Sequence, residues 1–386
     1  MDWHSINMAE YIGGKMRVLK IKPELHKFEC FKDFAKEFNV GKGDFVITNE
    51  FIYTPFMREL NLEADFMFQE KFGFGEPSDE MINNIMAEIR EKEYKRIIAI
   101  GGGSIIDISK LLVLKDSGNC VNLFERTAPL VKERELIIVP TTCGTGSEVT
   151  NISIVELKSK HIKMGLAADE LLPDYAVLIP ELVKGLPYKF FVTSSVDALI
   201  HAVESFVSPK SNPYTELFSV KAVELIIKGY IEIVKKGEDY RLEILEDFVI
   251  GSNYAGIAFG NTGVGAVHAL SYPLGGTYHV PHGEANYQFF IEVFKYYCKL
   301  NPTGKIKQIN KLIADIIGSD ESNVYDELGK LLNNLLSLKP LREYGMKQEE
   351  TELFTDSVIK TQQRLLVNNY VPLDRQDILN IYTSLY

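Results

Sequence analysis

Cysteine is scarce in this chain and never closely paired. Cys30, Cys120, Cys143 and Cys298 stand far apart, and no CxxC occurs. That spacing excludes a disulfide framework and a cysteine zinc site, and it suits a reducing cytoplasmic compartment. An excess of positive charge is also missing: 42 Lys and Arg face 53 Asp and Glu, a formal net charge of −11. Nucleic acid and anionic membrane surfaces are thereby excluded as main partners. No apolar run approaches the length of a bilayer span, so no membrane segment is expected. A basic region followed by an apolar core is absent from the N-terminus, so it does not read as a signal peptide. Internal repeats, low-complexity tracts and long linkers are lacking, and so is the GxGxxG dinucleotide fingerprint.

What remains is an ordinary globular composition, 46% apolar and 25% charged. At 386 residues the chain is long enough for two domains. Residues 1–15 (MDWHSINMAEYIGGK) read as a leader or tag-like segment. From Met16, MRVLKI is expected as a first strand. Short apolar runs follow: DFVITN (Asp44–Asn49), ADFMF (Ala64–Phe68), RIIAIGGG (Arg96–Gly103), ELIIVP (Glu135–Pro140) and YAVLIP (Tyr175–Pro180). Their continuous apolar character suits parallel strands buried on both faces. Helical patterns lie between them, as at Ser78–Glu91 and Ser104–Leu114, with Ser78 as a helix start. Ile152–Ala167 reads as an inserted β-hairpin. After Pro187 helical periodicity takes over, with helices expected at Tyr188–Val207, Pro213–Lys235, Tyr240–Phe259, Ala285–Leu300 and Met346–Val367. The expected organisation is a doubly wound, Rossmann-like α/β domain over 16–184 and an all-α domain over 185–386.

Two turns carry chemistry. IAIGGGSIIDISK (Ile98–Lys110) is a strand, a glycine turn and a helix start. Glycines let backbone approach a ligand, and the N–H groups of a new helix favour an anion such as a diphosphate. A tight turn without any ligand is the plainer alternative. PTTCGTGSE (Pro140–Glu148) follows the next long strand and offers the hydroxyls of Thr141, Thr142, Thr145 and Ser147. Both turns fall at carboxyl ends of parallel strands, where open α/β sheets bind ligands. Cys143 inside the second turn reads as apolar filler. Asn49 and Glu50 end the DFVITN strand, where an acidic group commonly holds ribose hydroxyls, with a solvated loop as the alternative.

Histidines are few, seven in all, and four fall between 201 and 282. Asp197 and His201, at i and i+4, share one helix face. His268 sits among small apolar residues and His282 between Pro281 and Gly283. One carboxylate and three imidazoles make a candidate divalent-metal site, weighed against satisfied core histidines. His279, three residues before His282, is a candidate further polar group of the same pocket, in a proton relay.

The motifs GGGSIIDISK, PTTCGTGSEVT, SSVDALIHAVES, GIAFGNTGVGAVHALSYPLGG and YHVPHGEAN, in that order, resemble the iron-containing (group III) alcohol dehydrogenase family. The resemblance implies a dehydroquinate synthase-like architecture. It implies NAD(P), taken to be NAD, on the α/β domain and one divalent metal, Fe²⁺ or Zn²⁺, on the helical domain. It maps the metal ligands onto Asp197, His201, His268 and His282. It maps the diphosphate loop onto Gly101, Gly102, Gly103 and Ser104, with Asp107 counted in the same set. The second cofactor loop falls on Thr141, Thr142 and Thr145, and a cofactor-contacting lysine on Lys163. Many relatives carry a further His four residues after the third ligand; here Tyr272 stands there and joins His279 as a candidate catalytic group. Many also carry Asp where this chain has Asn49, a departure that leaves NADP open as an alternative to NAD, with Glu50 able to hold the ribose instead. VGKGDF, GEPSDEMINNI and LLVNNY resemble a hydroxy-acid branch of the family. The expected chemistry is metal-dependent interconversion of a small hydroxy acid and its aldehyde with NAD(H), in a homo-oligomer taken to be a dimer. The alternatives are a general primary-alcohol or diol dehydrogenase and a non-catalytic nucleotide- or metal-binding module.

Overall fold

The structure, a computed structural model, describes residues 17–73, 75–160 and 162–386. The expected leader and Met16 lie outside the described residues. The chain divides into two compact units, Ile21–Leu186 and Pro187–Tyr386, the latter joined by residues 17–20.

The first unit alternates strands and helices. Its elements are β1 (Glu24–Lys27), α1 (Phe31–Glu37), β2 (Asp44–Thr48), α2 (Glu50–Phe56), β3 (Asp65–Phe68), α3 (Asp79–Ile89), β4 (Arg96–Gly101), α4 (Gly103–Leu112), α5 (Val121–Phe124), β5 (Glu135–Pro140), β6 (Ile152–Leu157), β7 (Ile162–Ala167) and β8 (Tyr175–Leu178). Six strands form a parallel sheet in the order β1-β8-β5-β4-β2-β3. Side chains alternate across each strand, so one face carries Phe45, Ile47, Ile97, Ala99, Leu136 and Ile138 under α3, α4 and the hairpin. The other carries Val46, Ile98, Ile100, Ile137 and Val139 under α1 and α2. Burial on both faces is what the continuous apolar runs require. Ser78 caps α3 by accepting the Met81 N–H at 3.3 Å. The inserted hairpin is β6 paired antiparallel with β7. The strand order reverses between β2 and β4, which sets the carboxyl ends of those strands on either side of the switch point.

The expected first strand is not one. Residues 17–21 carry no strand, and β1 begins at Glu24. Helix side chains satisfy this segment's backbone instead of a neighbouring strand. Asn212 donates to the Val18 carbonyl at 2.9 Å, while Asn261 accepts the Lys20 N–H at 2.6 Å and donates to its carbonyl at 3.1 Å.

The second unit is helical: α6 (Tyr188–Val207), α7 (Pro213–Lys236), α8 (Leu245–Thr262), α9 (Ala266–Tyr278), α10 (His282–Leu300), α11 (Gly304–Ile317), α12 (Val324–Leu335), α13 (Glu350–Thr361), α14 (Gln363–Leu366) and α15 (Arg375–Leu385). The helix expected over Met346–Val367 is interrupted at Gln362. The 20-residue α6 is long and apolar enough to cross a bilayer, against the expectation that no segment is. It is the core helix of this unit, packed against α7, α8 and α10 and mostly buried. Its apolar character comes from being surrounded on all sides.

Candidate active site

α6 places Asp197, His201 and Glu204 at i, i+4 and i+7, on one face. His268 is the third residue of α9, and His282 the first of α10. The structure brings all four sequence-predicted ligands together, with their ligand atoms within 4.8 Å of one another. Nε2 of His268 lies 3.6 Å from Asp197 Oδ1 and 3.0 Å from Nε2 of His201. Nε2 of His201 and of His282 lie 4.0 and 3.9 Å from Asp197 oxygens. Burial raises the Asp197 pKa, but the His201, His282 and His268 rings and the Asn286 amide outweigh it, so the carboxyl is held below its ordinary range.

The supports of this cluster went unseen in the sequence. Glu204 is buried, accepts Nδ1 of His268 at 2.7 Å and accepts the Val267 N–H at 2.8 Å. A carboxylate only accepts, so the His268 proton sits on Nδ1 and Nε2 presents its lone pair to the cluster. Gly265 makes room: a Cβ there would stand 3.3 Å from Glu204 Oε1 and 2.9 Å from Asn369 Oδ1. Asn286, one turn after His282, donates to Asp197 at 2.7 Å and stands 3.1 Å from His282 Nε2; Ser271 donates to its Oδ1. Gly283 brings α10 against α6, because a Cβ there would lie 2.4 Å from the Thr193 carbonyl oxygen. The signal for Glu204 was its place three residues after His201; for Asn286 and Ser271 the sequence offered none. The donor chemistry fits a divalent cation: three imidazoles and one carboxylate, the carboxylate ionised though buried and one imidazole oriented by a second carboxylate.

The two candidate catalytic groups part company. The Tyr272 ring lies 6.5 Å from that of His282, and its hydroxyl accepts from Arg364 at 3.1 Å. His279 caps α9 in the left-handed region (φ 52°), is exposed, and has no hydrogen-bond or ring partner among the described residues.

In the sheet unit the two turns pack side by side. The Thr141 N–H donates to the Gly101 carbonyl at 3.0 Å. A Cβ on Gly102 would meet Thr142 Cγ2 at 3.4 Å, and one on Gly103 would meet Thr145 Cγ2 at 3.0 Å. Thr142 Oγ1 is buried and, among the described residues, has no partner. An orphaned hydroxyl beside a glycine turn and the N-terminus of the ten-residue α4 fits a ligand with phosphate oxygens. Ser104 donates to the Gly75 carbonyl at 3.0 Å, and Thr145 Oγ1 accepts the Ser147 N–H. At the end of β2, Asn49 bonds Gln69, while the Glu50 side chain is exposed toward Arg58 at 3.8 Å. Lys163 on β7 is engaged by Glu76 at 2.7 Å. Asp107 is held within the sheet unit. Its oxygens accept from Ser147 Oγ at 3.1 Å and the Ile154 N–H at 2.9 Å, so it ties down the second turn and the hairpin. Lys110, which the sequence did not single out, is fully buried and donates to Ser147, Thr150 and the Ile152 carbonyl at 2.6, 3.1 and 2.7 Å.

A doubly wound sheet with glycine and threonine turns, and a helical unit with an Asp-His₃ cluster, define a class. Residues 24–180 match the family described as "Iron-containing alcohol dehydrogenase", and residues 191–386 the "Fe-containing alcohol dehydrogenase family, C-terminal". The chain belongs to the iron-containing alcohol dehydrogenase family and is an oxidoreductase acting on small alcohols or aldehydes. It is 66% identical over 371 residues to 4-hydroxybutyrate dehydrogenase of Clostridium kluyveri, covering 96% of this chain and all of that one. It is 33% identical to long-chain-alcohol dehydrogenase 1 of Geobacillus thermodenitrificans, over 81% of this chain and 80% of the relative. The fold is shared with sulfoacetaldehyde reductase from Bifidobacterium kashiwanohense in complex with NAD⁺, at TM-score 0.82, 22% identity and 95% and 98% coverage of the two chains.

Proposed function

We propose that this enzyme interconverts 4-hydroxybutyrate and succinate semialdehyde with NAD(H). The observation that carries the reading is 66% identity along the full length of a 4-hydroxybutyrate dehydrogenase, with the four-donor cluster intact. Asp197, His201, His268 and His282 would hold a divalent cation, Fe²⁺ or Zn²⁺. When bound, that cation supplies Lewis-acid polarisation of a substrate oxygen. NAD(H) supplies the hydride acceptor or donor, and the glycine turn, Ser104 and the Thr142 hydroxyl would bind its diphosphate.

The chain's own part is placement. Glu204 keeps the His268 proton on Nδ1, away from the cluster. Asn286, fixed by Ser271, orients the Asp197 carboxylate. Lys110 and Asp107 hold the second turn in position against the first. Of the two candidate proton-relay groups, Tyr272, whose ring lies 6.5 Å from that of the half-exposed His282, would serve. We also propose a cytoplasmic homodimer. Four free thiols favour the compartment, and light scattering reads the assembly state directly.

The test is NADH consumption with succinate semialdehyde by metal-free protein refilled with Fe²⁺ or Zn²⁺, together with oxidation of 4-hydroxybutyrate, 1-butanol and 1,3-propanediol. Turnover of the acid substrates well above that of the neutral alcohols is expected. Equal or greater turnover of 1-butanol would make this a general primary-alcohol dehydrogenase instead.

A further inference from the structure

Asp197, His201 and His268 are buried, but the His282 side chain is 36% exposed, so the cluster opens on the side where that ring stands. The Tyr272 ring is on this side, 6.5 Å from His282 between centroids. Tyr272 in turn holds Arg364. Nη2 of the guanidinium donates to the phenol oxygen at 3.1 Å, and Cζ stands 5.8 Å from the ring centroid. Among the described residues, this is the guanidinium's one hydrogen bond, and it has no ion-pair partner. Lys189 on α6 is different: Glu284, two residues past His282, neutralises it at 2.7 Å.

Arg364 has a fixed base. It sits on α14, where Leu365 is buried and the following Asn368 donates to the Val264 carbonyl at 3.0 Å. Asn368 and Asn369 also press on Gly263 and Gly265, in the turn that leads into α9. The helix that carries His268 and Tyr272 is thus braced by the segment that carries Arg364.

We infer that Arg364, oriented by Tyr272, is the anchor for the substrate carboxylate and selects a hydroxy acid or aldehyde acid over neutral alcohols. This rests on the proposed reading of the Asp-His₃ cluster as the reacting centre. A guanidinium offers a planar fork of donors that suits a carboxylate. Here the neutral phenol takes one donor and leaves the charge uncompensated.

Arg364→Gln keeps a polar side chain and removes the charge. The ratio of kcat/KM for succinate semialdehyde to that for butanal should fall roughly tenfold to a hundredfold, with the loss in KM rather than kcat. Inhibition by succinate, which has the charge but cannot react, should weaken in parallel. Arg364→Lys should recover part of the ratio, and Tyr272→Phe should lose less of it than Arg364→Gln. Equal losses on both aldehydes, or a wild-type preference for the acid that survives Arg364→Gln, overturn the anchor alone. A wild-type enzyme that reduces butanal as readily as the acid overturns the functional reading, and the anchor with it.

Discussion

Glu204 is not one of the four candidate ligands, yet it decides which nitrogen of His268 faces the cluster. Removing it leaves Nδ1 of His268 and the Val267 N–H buried without an acceptor. Glu204→Ala should weaken metal affinity tenfold to a hundredfold and lower the stability of the metal-free protein by about 1–3 kcal/mol. Competition with a chelator reads the first and urea unfolding the second; unchanged metal affinity would remove Glu204 from the site. At this scale the sequence revealed side chains that announce their chemistry. Asp197 and His201 were legible because one helix sets their spacing. Asn286 and Ser271 were not, because an amide and a hydroxyl acquire meaning only from what stands opposite them 89 and 15 residues away. Asp107 was placed with the cofactor because it neighbours the glycine turn; its bonds to Ser147 and Ile154, 40 and 47 residues further along, were not legible.

Among the elements, α4 and the threonine turn behave as one piece because Lys110 joins them. Burial pushes its ammonium group down to about 8, against the pull of Asp107 and Glu148. The ordinary value is 10.5, so between the two the unfolded chain binds more protons than the folded one. Stability at this site should therefore rise with pH across that window, not fall. Relative to Lys110→Met, the wild type should gain roughly 2 kcal/mol between pH 7 and 9.5, measured by urea unfolding of both proteins at each pH. A difference that stays flat, or moves the other way, would mean the lysine is not buried as described. The strands β2, β4 and β5 and the helix α6 were legible within a residue or two, since apolar runs and periodicity follow directly from burial. The α9 helix was not, because Gly275, Gly276 and the internal Pro273 are ordinary signs of a turn. Packing against α10 and α13 overrides them. The strand expected at MRVLKI was a β-rich pattern whose described residues, 17–21, have no sheet neighbour to pair with.

For the whole molecule, all four candidate ligands belong to the helical unit, so metal binding should register as that unit's stability. Fe²⁺ or Zn²⁺ at a hundred times its Kd should stabilise the protein by about 2.7 kcal/mol. Scanning calorimetry should show the affected transition rising by roughly 5–10 °C, a shift that a chelator reverses and Asp197→Asn abolishes. An equal shift in Asp197→Asn would place the stabilising ion elsewhere. The two-part architecture was legible because strand and helix patterns occupy separate stretches of sequence; the attachment of residues 17–20 to the helical unit was not, because it depends on Asn212 and Asn261. That attachment governs the order of assembly. The sheet unit has its whole sequence in hand once Leu186 is made. The segment at 17–20 must wait for amides 194 and 241 residues further along. Contacts so distant in sequence form late. This short segment can therefore dock on a new chain only once Asn261 has been made, and a cut or fusion beside it should disturb the helices rather than the sheet.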